Sequence, residues 1–184
     1  MVAKSTSGIC KYAMIFKISI SYISMKNNPT LELDRYIPAL ITFFANKMSV
    51  GASQIYAQLF QINVIEWRII SMLAVEPNIS ASRISQIIGL DKGAVSRAIA
   101  KLSAENYVKI TPDQKDARAT RISLTEEGLK LHDRVYKVAM DREQAIFNVL
   151  AEEDQEHLIR ILNILNANIV ETNELLNEKY LNKG

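Results

Sequence analysis

Apolar positions spaced three and four residues apart predict helices along most of the chain after Pro29. Pro38 lies inside the first apolar stripe, so that helix either starts near Pro38 or bends there. Residues 53–60 are also apolar and compatible with a helix, and residues 65–75 form a further predicted helix that Pro77 ends. The first stripe comprises Leu33, Ile37, Leu40, Ile41, Phe44 and Met48, and the helix over 65–75 has Trp67, Ile70 and Leu73 or Ala74 on one side.

The middle of the chain holds two predicted helices that a very short turn joins. Ser80 is expected to cap a helix over residues 81–88, and Gly89 occupies the position of its C-terminal stop. Asp91 is expected to cap a second helix over residues 92–105. Two helices joined so tightly predict a helix-turn-helix. The predicted apolar face of the first helix comprises Ile84, Ile87 and Ile88.

The second of these helices has two contrasting faces at about 100° per residue. Its apolar side comprises Val95, Ala98, Ile99 and Leu102, whereas its opposite side comprises Gly93, Ser96, Arg97, Ala100 and Ala104, with Lys92 and Lys101 on the flanks. A helix that enters the major groove of DNA needs small residues for close approach and donors for base edges and phosphates. Small residues are also typical of helix packing, which stays open as an alternative.

Two short, alternating and β-branched segments at residues 107–111 and 120–124 predict strands, and Asn106 is suited to end the preceding helix. Two strands after a helix-turn-helix predict a winged helix. The polar loop between them is then the wing, with Lys115 and Arg118 directed at the DNA backbone or minor groove. We hypothesise that Asp116 holds an arginine, Arg118 or one near it, by a charge-assisted hydrogen bond, the alternative being that it only caps the turn.

A long apolar stripe on a helix of about 25 residues marks the last third of the chain. Four acidic residues crowd the first turn of this helix, where the helix dipole favours them. So long a stripe is hard to cover within one small chain, which favours a dimer interface over an intramolecular bundle. The stripe comprises Leu158, Ile161, Leu162, Leu165, Ile169 and Leu176, and the acidic residues are Glu152, Glu153, Asp154 and Glu156.

Composition and charge sharpen this picture. The 184 residues suit one domain, and 48% hydrophobic with 23% charged residues are typical of a globular protein. The net charge of +2 conceals an uneven distribution, because residues 79–122 carry +4 and residues 123–184 carry −5. A basic block in a balanced chain indicates a surface that binds polyanions.

Residues 1–24 are expected to be an upstream extension, with Met25 as the natural start. The apolar segment at residues 13–23 is too short to span a bilayer and is interrupted by Lys17, which disfavours a membrane anchor. The single cysteine, Cys10, excludes an intramolecular disulfide and is consistent with a cytoplasmic location.

Enzymatic chemistry finds little support in the sequence. The two histidines, His132 and His157, are far apart in predicted helices and lack an adjacent nucleophile or metal-ligand spacing. The chain also lacks a glycine motif for phosphate. We therefore expect neither a catalytic site nor a metal or other cofactor.

These motifs together resemble the MarR family of bacterial transcriptional regulators. The resemblance is carried by the run from Leu90 to Arg97, by Lys101-Leu102 and Tyr107-Val108, by the wing from Asp113 to Ala119, and by Leu124-Thr125 with Gly128, and Glu66-Trp67-Arg68 is similar to the family's second helix. It covers roughly residues 31–177. Lys115 departs from the family's usual wing arginine and Asn106 from its usual glycine, and a lysine loses the planar fork of a bidentate contact.

The resemblance implies a mainly α (α+β) fold, a winged helix-turn-helix with N- and C-terminal dimerisation helices. Residues 1–30 are then the extension and 31–184 a single domain, with 62–125 as the DNA-binding part and 31–58 plus 126–180 as dimerisation helices. The expected DNA-binding residues are Ser80, Ser82, Arg83, Lys92, Gly93, Ser96, Arg97, Lys101, Lys115, Asp116 and Arg118. The resemblance also implies a small aromatic or phenolic effector, for which candidate residues are Arg35, Tyr36, Phe43, Phe44, Trp67 and Arg68.

The expected function is a homodimeric regulator that binds double-stranded DNA, most simply a repressor of a palindromic operator released by the effector. A two-fold dimer sets its two recognition helices about 34 Å apart, one turn of the duplex. Two alternatives stay open: a winged-helix module that binds protein and no DNA, and a metal-responsive member of the same family.

Overall fold

The computed structural model describes residues 29–113 and 119–181, and confirms a mainly helical fold with a small two-stranded antiparallel sheet. The extension before residue 25, with Cys10, lies outside the described residues, as do Lys115, Asp116 and Arg118 of the wing. The elements in chain order are α1 (Ile37–Phe60), α2 (Val64–Val75), α3 (Ala81–Ile88), α4 (Lys92–Ala104), β1 (Val108–Pro112), β2 (Thr120–Leu124), α5 (Glu126–Phe147) and α6 (Glu152–Leu181).

The chain divides after Met48 into two compact units, and the first contains the beginning of α1. Pro38 is the second residue of α1, where its missing N–H is tolerated, so the helix starts at this proline and does not bend there. Residues 53–60 belong to the same helix. Most of the predicted stripe is exposed, since Leu33, Ile37, Leu40, Ile41 and Phe44 are 44–62% exposed.

The second unit, from Ser49 onward, has a closed hydrophobic core. Helices α2, α4 and α5 and strand β2 all contribute side chains that are almost fully buried. The predicted inner face of α4 is confirmed, since all four of its apolar residues lie in this core. Residues at most 1% exposed include Ile62, Ile69, Ile70, Leu73, Ile84, Val95, Leu102, Ile122, Leu131 and Val135.

The predicted helix-turn-helix is confirmed in its local geometry. The Ser80 side chain accepts a hydrogen bond from the Arg83 N–H, and Asp91 accepts one from the Ala94 N–H. Gly89 ends α3 with φ of 67°, a left-handed conformation that glycine adopts without strain. The two helices therefore meet at the short turn that the sequence predicts.

The predicted apolar face of α3 is wrong in one residue, because Ile87 is 40% exposed. The buried face is rotated toward Ser85, whose hydroxyl donates a 2.5 Å hydrogen bond to the Leu90 carbonyl in the turn. A polar side chain that satisfies this carbonyl thus takes the inner position, and Ile87 turns outward.

The wing begins as a regular antiparallel ladder. Val108 pairs with Leu124 at its base, and Pro112 pairs with Thr120 at the far end. Ile79 forms an isolated β-bridge beside β2, because it exchanges two backbone hydrogen bonds with Ile122. The sheet is thereby joined to the segment that leads into α3.

Helix α6 extends the predicted C-terminal helix to 30 residues and buries none of its side chains. In its apolar stripe, Ile161, Leu162, Leu165, Ile169 and Leu176 are 39–49% exposed. Among the described residues, no helix is long and apolar enough to cross a membrane.

Candidate nucleic-acid interface

The outer face of α4 gathers five of the predicted DNA-binding residues on one exposed surface. Lys92, Gly93, Ser96, Arg97 and Lys101 are all exposed, while the apolar side chains of the helix point into the core. The face is basic and free of bulky apolar groups, which permits close approach to a groove of DNA. We refer to these five residues as the α4 outer face.

Arg97 lies back along α4 over the first turn of the helix. A Cβ atom at Gly93 would be 3.3 Å from a guanidinium nitrogen of Arg97 and 3.1 Å from a carboxylate oxygen of the capping Asp91. Both distances are tighter than ordinary van der Waals contact. The absence of a side chain at Gly93 thus leaves room for the Arg97 guanidinium over the first turn of α4.

A cleft of about 270 Å³ separates the α4 outer face from the start of α2. Arg97 and Lys101 supply its cationic wall. Its other side is the N-terminal turn of α2, where Asn63 and Glu66 form a capping box. The lining residues are Asn63, Ile65, Glu66, Ala94, Arg97, Ala98 and Lys101.

Lys101 differs from the other residues of the α4 outer face in having acidic partners. Its Nζ donates to Glu66 Oε2 at 2.9 Å and to the Gln61 carbonyl at 3.0 Å, and it lies 3.8 Å from Glu105 Oε1. Burial lowers the pKa of Lys101, but hydrogen bonding to Glu66 and attraction by Glu66 and Glu105 outweigh it and raise the pKa overall. These contacts favour a structural role for Lys101.

Two of the three predicted DNA-binding residues at α3, Ser80 and Arg83, have local partners. The Ser80 hydroxyl oxygen caps α3, and the Arg83 guanidinium donates to both carboxylate oxygens of Glu76 at 3.3 and 3.4 Å. Ser82 is exposed in the first turn. Arg83 is half exposed, so its pairing with Glu76 is a surface ion pair of small energetic weight.

An ion pair lies at the far end of the β1–β2 ladder, where the loop between the strands begins. Arg121 donates to the carboxylate of Asp113, which is largely buried, and the Asp113 N–H donates to the Ala119 carbonyl at 2.9 Å. The hypothesis that Asp116 holds Arg118 concerns residues outside those described, but Asp113 plays a comparable role toward Arg121. The sequence analysis missed this pair because Asp113 and Arg121 are eight residues apart and only the hairpin register brings them together.

The candidate effector residues fall in both units of the chain. In the first, Tyr36, Phe43 and Phe44 are 42–44% exposed, and Arg35 lies 4.0 Å from Glu32 at the surface. In the second, the ring of Trp67 stacks on His132 at 5.5 Å, and Arg68 donates to the Ser49 hydroxyl at 3.0 Å.

The histidines have ordinary surroundings. His132 is sandwiched between Trp67 and Tyr136, and its Nδ1 lies 3.0 Å from a carboxylate oxygen of Asp133. His157 is exposed on α6. Within residues 29–113 and 119–181, no three His, Cys, Asp or Glu side chains are grouped so that they could hold a metal ion.

Sequence reasoning missed the most buried charged residue described, Glu66, which is 2% exposed. Its carboxylate accepts from the Asn63 N–H at 2.9 Å, from Asn63 Nδ2 at 2.8 Å and from Lys101. The Asn63-x-x-Glu66 spacing is a capping-box signal that could have located the start of α2. Nothing in the sequence marked Lys101 as its partner, since 35 residues separate the two.

A helix-turn-helix followed by a two-stranded hairpin defines a winged helix protein. The MarR family model matches residues 60–119, which run from the end of α1 into the wing. The chain is 32% identical over 112 residues to the HTH-type transcriptional regulator TcaR of Staphylococcus aureus (strain Newman), covering 60% of this chain and 74% of TcaR.

Solved structures agree with this match. A MarR/EmrR family transcriptional regulator from Acinetobacter sp. ADP1 has a TM-score of 0.71 and 35% identity, over 77% of this chain and 99% of that one. A mutant MarR from E. coli, crystallised with operator DNA, has a TM-score of 0.64 over 74% of this chain and 99% of its own, and at 19% identity shows the fold alone. The chain belongs to the MarR family of transcriptional regulators. Its relatives and fold are those of regulators and not of enzymes.

Proposed function

We propose that the chain binds double-stranded DNA in a sequence-specific manner and represses transcription as a homodimer. The observation that carries the proposal is the α4 outer face, which is exposed and basic on a helix whose inner apolar face is buried. Arg97 is the residue best suited to a base edge, because its planar guanidinium can donate two hydrogen bonds to guanine. Lys92 and Ser96 supply donors for phosphates beside it.

The C-terminal helix supports the dimer. Its apolar stripe has no cover within the described part of the chain, and five leucine and isoleucine side chains of the stripe are 39–49% exposed, which is costly in water. A second copy that presents the same stripe buries both, which gives a two-fold assembly. Two α4 helices related by this symmetry would read a palindromic operator.

The regulatory part of the proposal rests on the family. Within the second unit, an aromatic or phenolic effector would bind at Trp67 and Arg68, which are consecutive residues of α2. The measurement is a thermal shift screen of small aromatic and phenolic acids, since a ligand of the folded state raises the melting temperature. A compound that stabilises the chain must also release it from DNA. Stabilisation without release would contradict the effector role.

The DNA-binding role is tested by enriching duplexes from a random-sequence pool with the full chain. Fluorescence anisotropy then compares the enriched duplex with a scrambled duplex of the same length at two salt concentrations. We expect an inverted repeat, and we expect Arg97→Ala to weaken binding to it by about 1–3 kcal/mol, with a smaller effect on the scrambled duplex. Arg160→Ala, which removes an exposed arginine of α6, is the matched control and leaves both affinities unchanged.

Two outcomes oppose the proposal. Equal losses on both duplexes for Arg97→Ala would contradict its role in reading bases. Failure to bind any duplex at low salt would contradict DNA binding altogether and favour a winged-helix module that binds protein.

In the wing, Lys115→Ala is predicted to lower affinity for all sequences and to flatten the salt dependence.

A further inference from the structure

The Glu66–Lys101 ion pair connects the N-terminal turn of α2 to the α4 outer face. The Glu66 carboxylate is held in place independently of Lys101, because it accepts two hydrogen bonds from Asn63 in the capping box. Lys101 then donates to Glu66 and to the backbone carbonyl of Gln61, at the turn between α1 and α2. The lysine thus reaches two anchored acceptors on the far side of the cleft.

These acceptors leave Lys101 poorly suited to a phosphate. An ammonium group has three donors, two of which are used by Glu66 and Gln61, while Glu105 lies 3.8 Å away. Two carboxylates beside one cation also neutralise the charge that a phosphate would need. The formal charge of this group, Lys101 with Glu66 and Glu105, is −1.

Arg97 and Lys101 are four residues apart on the same side of α4, and both line the cleft. The core contacts of α4 are made by Val95, Ala98, Ile99 and Leu102. Apolar contacts are not directional, so they allow small rotations of the helix about its axis. A directional hydrogen bond at Lys101 opposes such rotation. A binding residue must be held within about 0.5 Å of its productive position, so small rotations at Arg97 are costly for sequence reading.

We propose that Lys101 is a positioning residue, which through Glu66 fixes α4 so that Arg97 meets its base, and that Lys101 itself makes no contact with DNA. This inference rests on the proposed DNA-binding function. It changes the role expected for Lys101 from a DNA contact to a support for one. The same reasoning gives Glu66 a part in specificity although it lies outside the α4 outer face.

The decisive variant is the double substitution Glu66→Gln/Lys101→Met. It removes the ion pair without leaving a buried charge unpaired, keeps a glutamine that suits the capping box, and does not change the net charge near DNA. The matched control is Glu127→Gln/Lys130→Met, which removes an exposed pair of 2.9 Å on α5. Circular dichroism and thermal unfolding of the full chain establish that each variant is folded at the assay temperature.

Affinities are measured for the enriched duplex and for the scrambled duplex over a series of salt concentrations. We expect the double variant to lose about tenfold in affinity for the enriched duplex, the scale of one weakened base contact. Affinity for the scrambled duplex and its salt slope should stay as in the wild type. Lys101→Arg, which keeps a cation for Glu66, should recover most of the loss, and the α5 control should match the wild type throughout.

Two results would overturn the positioning role. Equal losses on both duplexes, with a salt slope on scrambled DNA reduced by about 0.9 per contact, would identify Lys101 as a phosphate contact. Unchanged affinity for both duplexes would show that the pair serves stability alone. A wild-type chain that does not prefer its enriched duplex would instead contradict the proposed function, before any variant is compared.

Discussion

Helices α4 and α6 differ in the burial of their apolar residues. Val95, Ala98, Ile99 and Leu102 of α4 are all buried within their own chain, whereas α6 buries no side chain along 30 residues. The outer face of α4 is consequently polar and available for a ligand, while the apolar stripe of α6 has no cover among the described residues. The difference indicates two kinds of partner, with DNA expected at α4 and a second copy of the chain at α6.

The largest effect is expected from placing a charge in the α6 stripe. Leu165→Asp puts a carboxylate in the proposed interface, where desolvation is expected to cost the dimer more than about 4 kcal/mol. Sedimentation velocity should then show a monomer, and binding to the enriched duplex should fall with it. Asn163→Asp makes the same change of charge on the opposite side of the helix and should leave the dimer intact. Dimers of equal stability for both variants would remove the assignment of this face.

A smaller effect, on the stability of the fold, is expected in the second unit at Gly128, in the first turn of α5. A Cβ atom there would lie 2.0 Å from the Tyr107 carbonyl oxygen at the start of the wing, so Gly128→Ala must move backbone and should destabilise the fold by about 3 kcal/mol. Gly51→Ala, whose Cβ would be 3.5 Å from Arg142, should instead stabilise α1 by up to about 1 kcal/mol. Thermal unfolding measures both effects, and equal melting temperatures for the two variants would contradict the packing described.

On the α4 outer face, Gly93→Ala should weaken binding to the enriched duplex by about 1 kcal/mol, because the new methyl group displaces Arg97. In an Arg97→Ala background the same substitution should have no further effect, since the displaced side chain is gone. Anisotropy titrations of the four chains provide this double-mutant cycle. Additive losses would mean that Gly93 contacts DNA independently of Arg97.

The smallest effect concerns pH. The pKa of Lys101 is raised above its ordinary value of 10.5, so the stability it contributes is fully present below that value and is lost as pH rises through the higher pKa of the folded state. The difference in melting temperature between wild type and Lys101→Met should therefore be constant from neutral pH up to the approach to 10.5. A difference that shrinks near neutral pH would contradict the pairing with Glu66.

Periodicity and capping residues predicted most of the fold. Residues such as Ser80, Gly89 and Asp91 act on backbone a few positions away, so their effect is visible in the sequence. The strand over 120–124 was predicted correctly for the same reason, because β-branched alternation is local. The outer and inner faces of α4 followed from helical geometry alone.

Contacts between distant residues were not predictable in this way. Lys101 was assigned to DNA because it is a cation on the correct helix, and only the packing of α2 against α4 brings Glu66 to it. The exposure of Ile87 depends on the hydroxyl of Ser85 at a turn, a polar group that apolar periodicity does not count. The wing residues Lys115, Asp116 and Arg118, and the effector candidates, stay predictions.

Hydroxyl-radical footprinting of the enriched duplex, combined with the stoichiometry of the complex from sedimentation, tests the central claim most directly. A homodimer that reads DNA with two copies of α4 predicts two chains per duplex and two protected segments about 34 Å apart on one face of the DNA. Leu165→Asp should abolish this paired footprint. A single protected segment bound by one chain, unaffected by Leu165→Asp, would contradict the account.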